Sequence, residues 1–272
     1  MTLDGKTQVY GILGYPVKHS LSPVFQNKAF EHFFINAVYV PFEVKPEKFE
    51  TAFRGLKALG IKGVNITLPH KEKALELSDF IDSHAQAIGS ANTLKITEEG
   101  VYAYNTDWVG FLKAVKKLTP QLRNLKVLVL GAGGSARAVL YALRFERAEV
   151  FLWNRTEERA RRLCEEFGCF HIKRPEDVLE EVELIVNTTS LGLKEEDPPI
   201  FDYKKLNPRH RVMDIIYKDT PLLKSARERG CLYQDGLDML LYQGMESFKI
   251  WTGYDVPYEV VKSSVLEYLN AI

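Results

Sequence analysis

The sequence predicts an α/β fold in two units, and three observations carry that prediction. Short apolar runs alternate with longer segments of helical period from Val9 onward. The length of 272 residues points to a little under two domains at roughly 150 residues each. A glycine-rich turn, Gly131-Ala132-Gly133-Gly134, stands directly between an apolar run and a helical one.

In the first unit, residues 9–14, 37–43 and 63–68 read as strands. Helices are expected over 23–33 and 46–59. Ser22 is placed to cap the first, with Pro23 in the opening position, where its missing N–H costs nothing. Gly60 supplies the stop for the second. After Pro69 a helix is predicted to about residue 81, and 93–97 with 101–104 flank Glu98-Glu99-Gly100 as a hairpin. A helix over 108–118 ends at Thr119-Pro120. The second unit opens with a leucine- and valine-rich strand over 126–130, then the glycine turn and a helix to 145. Buried strands follow at 149–153, 184–187, 211–216 and 231–233, separated by helical segments, which is the pattern of a doubly wound parallel sheet. Two helices, 239–253 and 258–270, close the chain.

Composition narrows the function classes. Lys plus Arg and Asp plus Glu each total 36, so no basic excess exists to neutralise a phosphate backbone, and nucleic acid is not an expected partner. At 46% hydrophobic and 26% charged, the chain has globular usage, far from that of disorder. The longest charge-free stretch, residues 83–94, is 12 residues, short of the ~20 that a membrane helix needs. The N-terminus shows neither the apolar core nor the cleavage site of a secretory leader, so a cytoplasmic protein is expected. Cys164, Cys169 and Cys231 form no C-x-x-C pair and read as reduced thiols. The six histidines fall in no metal-binding spacing, and no metal is expected.

The glycine turn has the form G-x-G-x-x-A in the context its mechanism requires. Gly131 permits the tight turn, Gly133 lets the backbone approach a pyrophosphate, and Ala136 is small enough for helix and strand to pack. With Ala132, Gly134 and Ser135 these residues form the expected phosphate cradle at a helix N-terminus. At the end of the next strand NAD enzymes place an acid for the ribose 2′-hydroxyl. This chain has Asn154-Arg155-Thr156 there and Arg159 one turn on, and two guanidinium groups suit a 2′-phosphate. NADP is therefore the expected cofactor. An alternative is that Thr156 simply caps the next helix while Arg159 pairs with nearby glutamates.

The first unit holds polar residues that its elements do not require. Ser20 and Ser22 lie together after a strand, where open α/β sheets bind ligands. Alternation puts Asn65 and Thr67 on one face, and Lys71 falls just inside the following helix. A cation at the positive end of a helix is electrostatically disfavoured, which is poor for stability but suited to proton transfer. Ser90-Ala91-Asn92-Thr93 and Asn105-Thr106-Asp107 bracket the hairpin, although Asp107 could equally cap the helix after it. Together Lys71 and Asp107 could hold a hydroxyl and pass its proton.

At this point the chain resembles the shikimate dehydrogenase family, nearly end to end. The motifs are Ser20-Leu21-Ser22-Pro23, Asn65-Ile66-Thr67-Leu68-Pro69-His70-Lys71, Ala91-Asn92-Thr93, Asn105-Thr106-Asp107, Gly131-Ala132-Gly133-Gly134, Asn154-Arg155-Thr156 and Asp235-Gly236-Leu237-Asp238-Met239-Leu240. The resemblance implies a substrate domain of 1–107 plus 239–272 and a Rossmann-like NADP domain of 108–238. It implies reduction of 3-dehydroshikimate to shikimate, within aromatic amino acid biosynthesis, by a monomer or homodimer. By the same resemblance, Ser20, Ser22 and Tyr217 bind the substrate carboxylate. Asn65, Thr67, Lys71, Asn92, Asp107 and Gln243 hold ring hydroxyls, with Lys71 as acid and base. Ile215, Gly236 and Met239 are placed against the nicotinamide end.

Two departures stand out. Ser83 lies near the place of a common acidic residue and receives no role; Asp238 replaces a common glycine, so a different local backbone is expected there. The same motifs fit a dehydrogenase of broader quinate and shikimate specificity. A noncatalytic NADP sensor is the alternative of another class, disfavoured by a proton-transfer pair that a sensor does not need.

Overall fold

The computed structural model describes residues 3–194 and 196–271. Its contacts divide the chain into two compact units, crossing between Thr106 and Asp107 and again between Leu240 and Leu241.

The first unit is a six-stranded sheet with helices. In order it runs β1 Gln8–Gly14, α1 Ser22–His32, β2 Ala37–Glu43, a 3-10 turn Pro46–Lys48, α2 Phe49–Ala58, β3 Gly63–Ile66, α3 Lys71–Leu77, β4 Phe80–Ile81, α4 Ser83–Ile88, β5 Thr93–Ile96 and β6 Val101–Tyr104. Strand order is β2-β1-β3-β5-β6-β4. β1 pairs in parallel with both β2 and β3, while β5 is antiparallel to β3 and to β6. That register sets Asn65 opposite Thr93, and Thr93 opposite Tyr104. One face of the sheet buries Leu13, Val64, Ile66 and Leu94 against Phe49 and Phe53 of α2. The last segment supplies α10 Tyr258–Ala271 and most of α9 Leu237–Thr252. Trp251 of α9 donates its indole N–H to Leu94 O at 2.9 Å and lies so close to Gly63 that any Cβ there would overlap the ring.

Several expectations change here. Ser22 does not cap α1; it is the first helical residue, and its own N–H donates to Ser20 Oγ at 3.3 Å. The strand expected over 63–68 ends at Ile66. The helix expected to reach residue 81 ends at Leu77, because Ser78 turns to extended backbone and Asp79 accepts from Val101 N at 2.8 Å. Phe80 and Ile81 then pair with β6 as a two-residue edge strand, and a separate helix starts with Asp82 as its cap. Ser83, exposed, is the first residue of that helix, so the acid beside it is spent on the cap. Gly60 does end α2, at a φ of +69°.

The second unit comprises α5 Asp107–Leu118, β7 Lys126–Leu130, α6 Gly134–Phe145, β8 Glu149–Trp153, α7 Glu157–Phe167, β9 Phe170–His171, β10 Leu184–Asn187, β11 Arg211–Asp214, α8 Pro221–Glu228, β12 Leu232–Gln234 and the first residues of α9. Its strands are all parallel in the order β12-β11-β10-β7-β8-β9. This is the doubly wound Rossmann order, reversing direction between β7 and β10, and such a switch point opens a crevice at the strands' carboxyl ends. Leu128, Leu130 and Ile185 are fully buried, which explains the unbroken apolar runs of β7 and β10. β11 stops at Asp214 rather than 216 because that carboxylate turns back to accept from Ile216 N at 3.0 Å. Asp107 begins α5 as its first residue and is not a preceding cap. Asp238 sits in the first turn of α9, ion-paired to Lys117 at 2.9 Å. Helical backbone admits any residue there, so no glycine conformation is needed.

Candidate active site

In the first unit the sheet register and α9 gather one buried hydrogen-bonded series. Tyr39 donates its phenol to Asn65 Oδ1 at 2.7 Å. Ser22 lies beside the same phenol, a small offset to the burial that holds Tyr39 well above the usual phenol range. Asn65 Nδ2 points at Ser247 Oγ at 2.9 Å and at Asn92 O and Thr93 Oγ1, both at 3.1 Å. Ser247 meets Thr93 at 2.7 Å and Thr106 at 3.1 Å. Asn92 closes the series, donating to Thr106 Oγ1 at 2.9 Å and Gln243 Oε1 at 3.2 Å, while its Oδ1 accepts from Thr106 N at 2.7 Å. Asn65, Asn92, Ser22 and Gln243 are all buried, so neutral amides and hydroxyls satisfy one another out of water.

Of the residues singled out in the sequence, Ser22, Asn65, Asn92 and Gln243 thus fall in one series, with Ser20 beside Ser22. Thr67 is half-buried, and its hydroxyl makes no hydrogen bond among the described residues, which leaves it open to a ligand. Lys71 and Asp107 are both buried and each opens a helix, α3 and α5, in different units. Lys71 is tied through its carbonyl, which accepts from Ala91 N at 2.9 Å next to Asn92. Tyr217 stands exposed after β11 in the second unit, with its phenol pushed up by partial burial. Ser247 and Tyr39 were missed, and Thr93 and Thr106 stood in the motifs without a role. A signal existed for Ser247: it follows Gln243 by four residues, hence on one helix face.

In the second unit the glycine turn lies at the switch point. Gly131 has φ +106°, and a Cβ there would come within 2.8 Å of Thr188 Oγ1 and Thr189 Cγ2, so both space and backbone demand glycine. Its neighbour Ala132 donates to Asn154 Oδ1 at 3.1 Å, and Asn154 Nδ2 donates to Thr156 O at 2.9 Å; this single side chain therefore braces the turn after β7 against the loop after β8. Gly133 precedes α6, where no side chain caps the helix, and a Cβ on it would meet nothing within 4 Å. Gly134 and Ser135 open the helix half-buried, and Ala136 is fully buried under it. Thr156 occupies the cap position of α7 without a capping bond. Glu157 and Glu158 pair with Arg161 and Arg162, so Arg155 and Arg159, both exposed, have no carboxylate partner among the described residues. Open backbone N–H groups, an unspent hydroxyl and two unpaired guanidiniums fit a 2′-phosphorylated dinucleotide.

Beside this turn, Asn187, Asp214 and Thr220 form a second buried node. Asn187 Nδ2 reaches both carboxylate oxygens of Asp214 at 3.1 Å, and Thr220 Oγ1 donates to Oδ2 at 2.8 Å. Burial pushes the Asp214 carboxyl up, opposed by those hydrogen bonds. The following Ile215 is half-buried, and its carbonyl would overlap any Cβ on Gly236; Met239 is buried nearby in sequence.

A Rossmann unit with an open phosphate turn, joined in one chain to an α/β unit with a buried polar series, defines a dinucleotide-dependent oxidoreductase. Residues 12–94 match the family described as shikimate dehydrogenase substrate binding domain, 113–195 that of shikimate / quinate 5-dehydrogenase, and 236–266 the shikimate 5'-dehydrogenase C-terminal domain. The chain is 52% identical over 263 residues to shikimate dehydrogenase (NADP(+)) of Aquifex aeolicus, covering 97% of this chain and 98% of the relative. A crystal structure of shikimate dehydrogenase from Aquifex aeolicus superposes with a TM-score of 0.96 at 52% identity, covering 97% and 99% of the two chains. The Thermus thermophilus enzyme in complex with NADP(H) and shikimate is 35% identical with a TM-score of 0.89, covering 96% and 99%. The chain belongs to the shikimate dehydrogenase family.

Proposed function

We propose that this chain interconverts 3-dehydroshikimate and shikimate with NADP as cofactor. The observation that carries the reading is the buried series from Ser22 to Gln243, built only of neutral groups. A polyhydroxylated monocarboxylate needs many such partners, and it needs an acid or base only where a proton moves. Ser20, Ser22 and Tyr217 take the carboxylate, while Asn65, Thr67, Lys71, Asn92, Asp107 and Gln243 take ring hydroxyls. Asn65 Nδ2 has two hydrogens and three protein acceptors, so a ring hydroxyl replaces a redundant partner there.

The cofactor is held by the 131–136 turn, with Asn154 bracing it. Arg155, Thr156 and Arg159 meet its 2′-phosphate, and Ile215, Gly236 and Met239 lie along its nicotinamide end. When bound it supplies the hydride. Lys71 donates a proton to the oxygen of the carbonyl being reduced, and withdraws it in reverse, with Asp107 holding the same hydroxyl.

The test is an absorbance assay at the reduced-nicotinamide band with shikimate and quinate, each with NADP and NAD. Turnover of shikimate with NADP is expected; preference for NAD would overturn the reading of the arginines. The shikimate / quinate description of the matched family over residues 113–195 makes quinate the competing substrate, and the same assay ranks the two. Lys71→Ala should collapse kcat with KM changed much less, whereas near-normal kcat would remove Lys71 from the chemistry.

A further inference from the structure

α7 ends at Gly168, whose φ of +69° reverses the chain. In such an ending the N–H two places past the last helical residue closes on the carbonyl five residues earlier, and the side chains of those two residues meet, usually as an apolar pair. Here the bond runs from Cys169 N to Cys164 O at 3.2 Å, with Gly168 N on the same carbonyl at 2.8 Å. Both positions are cysteines, and their sulfurs lie 2.9 Å apart as free thiols.

We propose that Cys164 and Cys169 are a dithiol–disulfide couple, oxidised by a hydroperoxide to an intramolecular disulfide that locks the end of α7. The backbone has already closed the ring, so only the sulfurs need approach. Cys169 is half-buried and lines a surface pocket of about 290 Å³ with Arg144, Arg147 and Gly168, wide enough for a small peroxide. Its thiol hydrogen points at Cys164, which lowers the Cys164 thiol and raises its own. One sulfur of the pair, as its thiolate, attacks the peroxide O–O bond and becomes a sulfenic acid, and the expelled hydroxide takes the thiol proton to leave as water. The other sulfur then attacks that sulfenyl sulfur and expels its hydroxide, which leaves as water with the second thiol's proton. Two thiol hydrogens and two electrons pass to the peroxide. Cys231 is the internal control: buried, bonded to Asn207 O at 3.1 Å and without a neighbouring thiol among the described residues.

The spacing gives the experiment, since Arg162 and Lys173 bound a tryptic peptide, 163–173, that holds both cysteines. The folded full-length chain is treated with hydrogen peroxide, quenched, denatured and alkylated with iodoacetamide. The expected product is a 163–173 peptide about 2 Da lighter than its dithiol form, refusing the alkyl group until dithiothreitol is added, with Cys231 alkylated throughout. Cys164→Ser and Cys169→Ser should each lose the lighter product and leave the remaining sulfur alkylated or oxygenated. A wild-type peptide that stays doubly alkylated, gains oxygen on separate sulfurs or links two chains would overturn the couple.

Discussion

Ser247 has no part in the sequence motifs, yet it is the centre of the first unit's polar series. Its hydroxyl is shared by Asn65, Thr93 and Thr106 and donates to Gln243 O at 3.0 Å. Ser247→Ala removes a buried partner from all of them at once. The expected cost is about 1–3 kcal/mol of stability, read from urea midpoints, with KM for shikimate raised as Asn65 loses its aim. An unchanged midpoint would mean that neighbours re-pair without it. Arg155 and Arg159 are the opposite case, exposed and unpaired, so their removal costs little stability. Arg155→Ala and Arg159→Ala should each raise KM for NADP roughly tenfold to hundredfold, from about 1.5–3 kcal/mol per charged hydrogen bond, and leave KM for NAD nearly unchanged. Equal losses with both cofactors would place the arginines elsewhere than on the 2′-phosphate.

Among elements, the ends of β10 and β11 hold the pH-sensitive node. The Asp214 carboxyl titrates above its usual 3.8 in the folded chain. Between about pH 4 and that raised value, the folded state keeps a proton that the unfolded state has lost, so this group's contribution to stability falls as pH rises and stays low at neutrality. Asp214→Asn cannot titrate, so its stability relative to wild type should improve as pH rises through that window, whatever its offset from altered hydrogen bonds. Denaturant midpoints from pH 4 to 7 measure this, and a gap constant with pH would remove burial as the cause.

The long central strands were legible in the sequence because burial on both faces writes itself as unbroken apolar runs, as in β7 and β10. The two-residue strands β4 and β9 were not, since two residues have no period and their pairing is fixed by the neighbouring strand, with Asp79 beside β4, rather than by their own side chains. The glycine turn could be read because Gly131 satisfies a local demand. Ser247 offered only its spacing from Gln243, and the part that Thr106 plays could not be read, because what makes them matter is residues up to 182 positions away.

At the scale of the molecule, the chain leaves its first unit at Thr106 and returns at Leu241. The returning segment carries Gln243, Ser247 and Trp251, and Phe248 packs on Phe30 at 5.2 Å between ring centres. The first unit is therefore incomplete without it, whereas the second is one continuous stretch. A fragment of residues 107–240 should unfold in a single cooperative transition and bind NADP. A fragment of residues 1–106 should show no cooperative melt by circular dichroism until a 241–272 peptide is added. A sharp melt for 1–106 alone would show that α9 merely decorates its sheet.

That interrupted order has a consequence for synthesis. A ribosome working at roughly 5–20 residues per second delivers Trp251 more than 180 residues after Gly63, some ten seconds or more later. The nascent chain meanwhile presents Tyr10, Phe30 and Gly63 without their cover, while the nucleotide half completes itself first. Emergence of residues 241–272 is the event that finishes the first unit, so stalling the ribosome before they emerge should leave a chain that binds cofactor but has no finished substrate site.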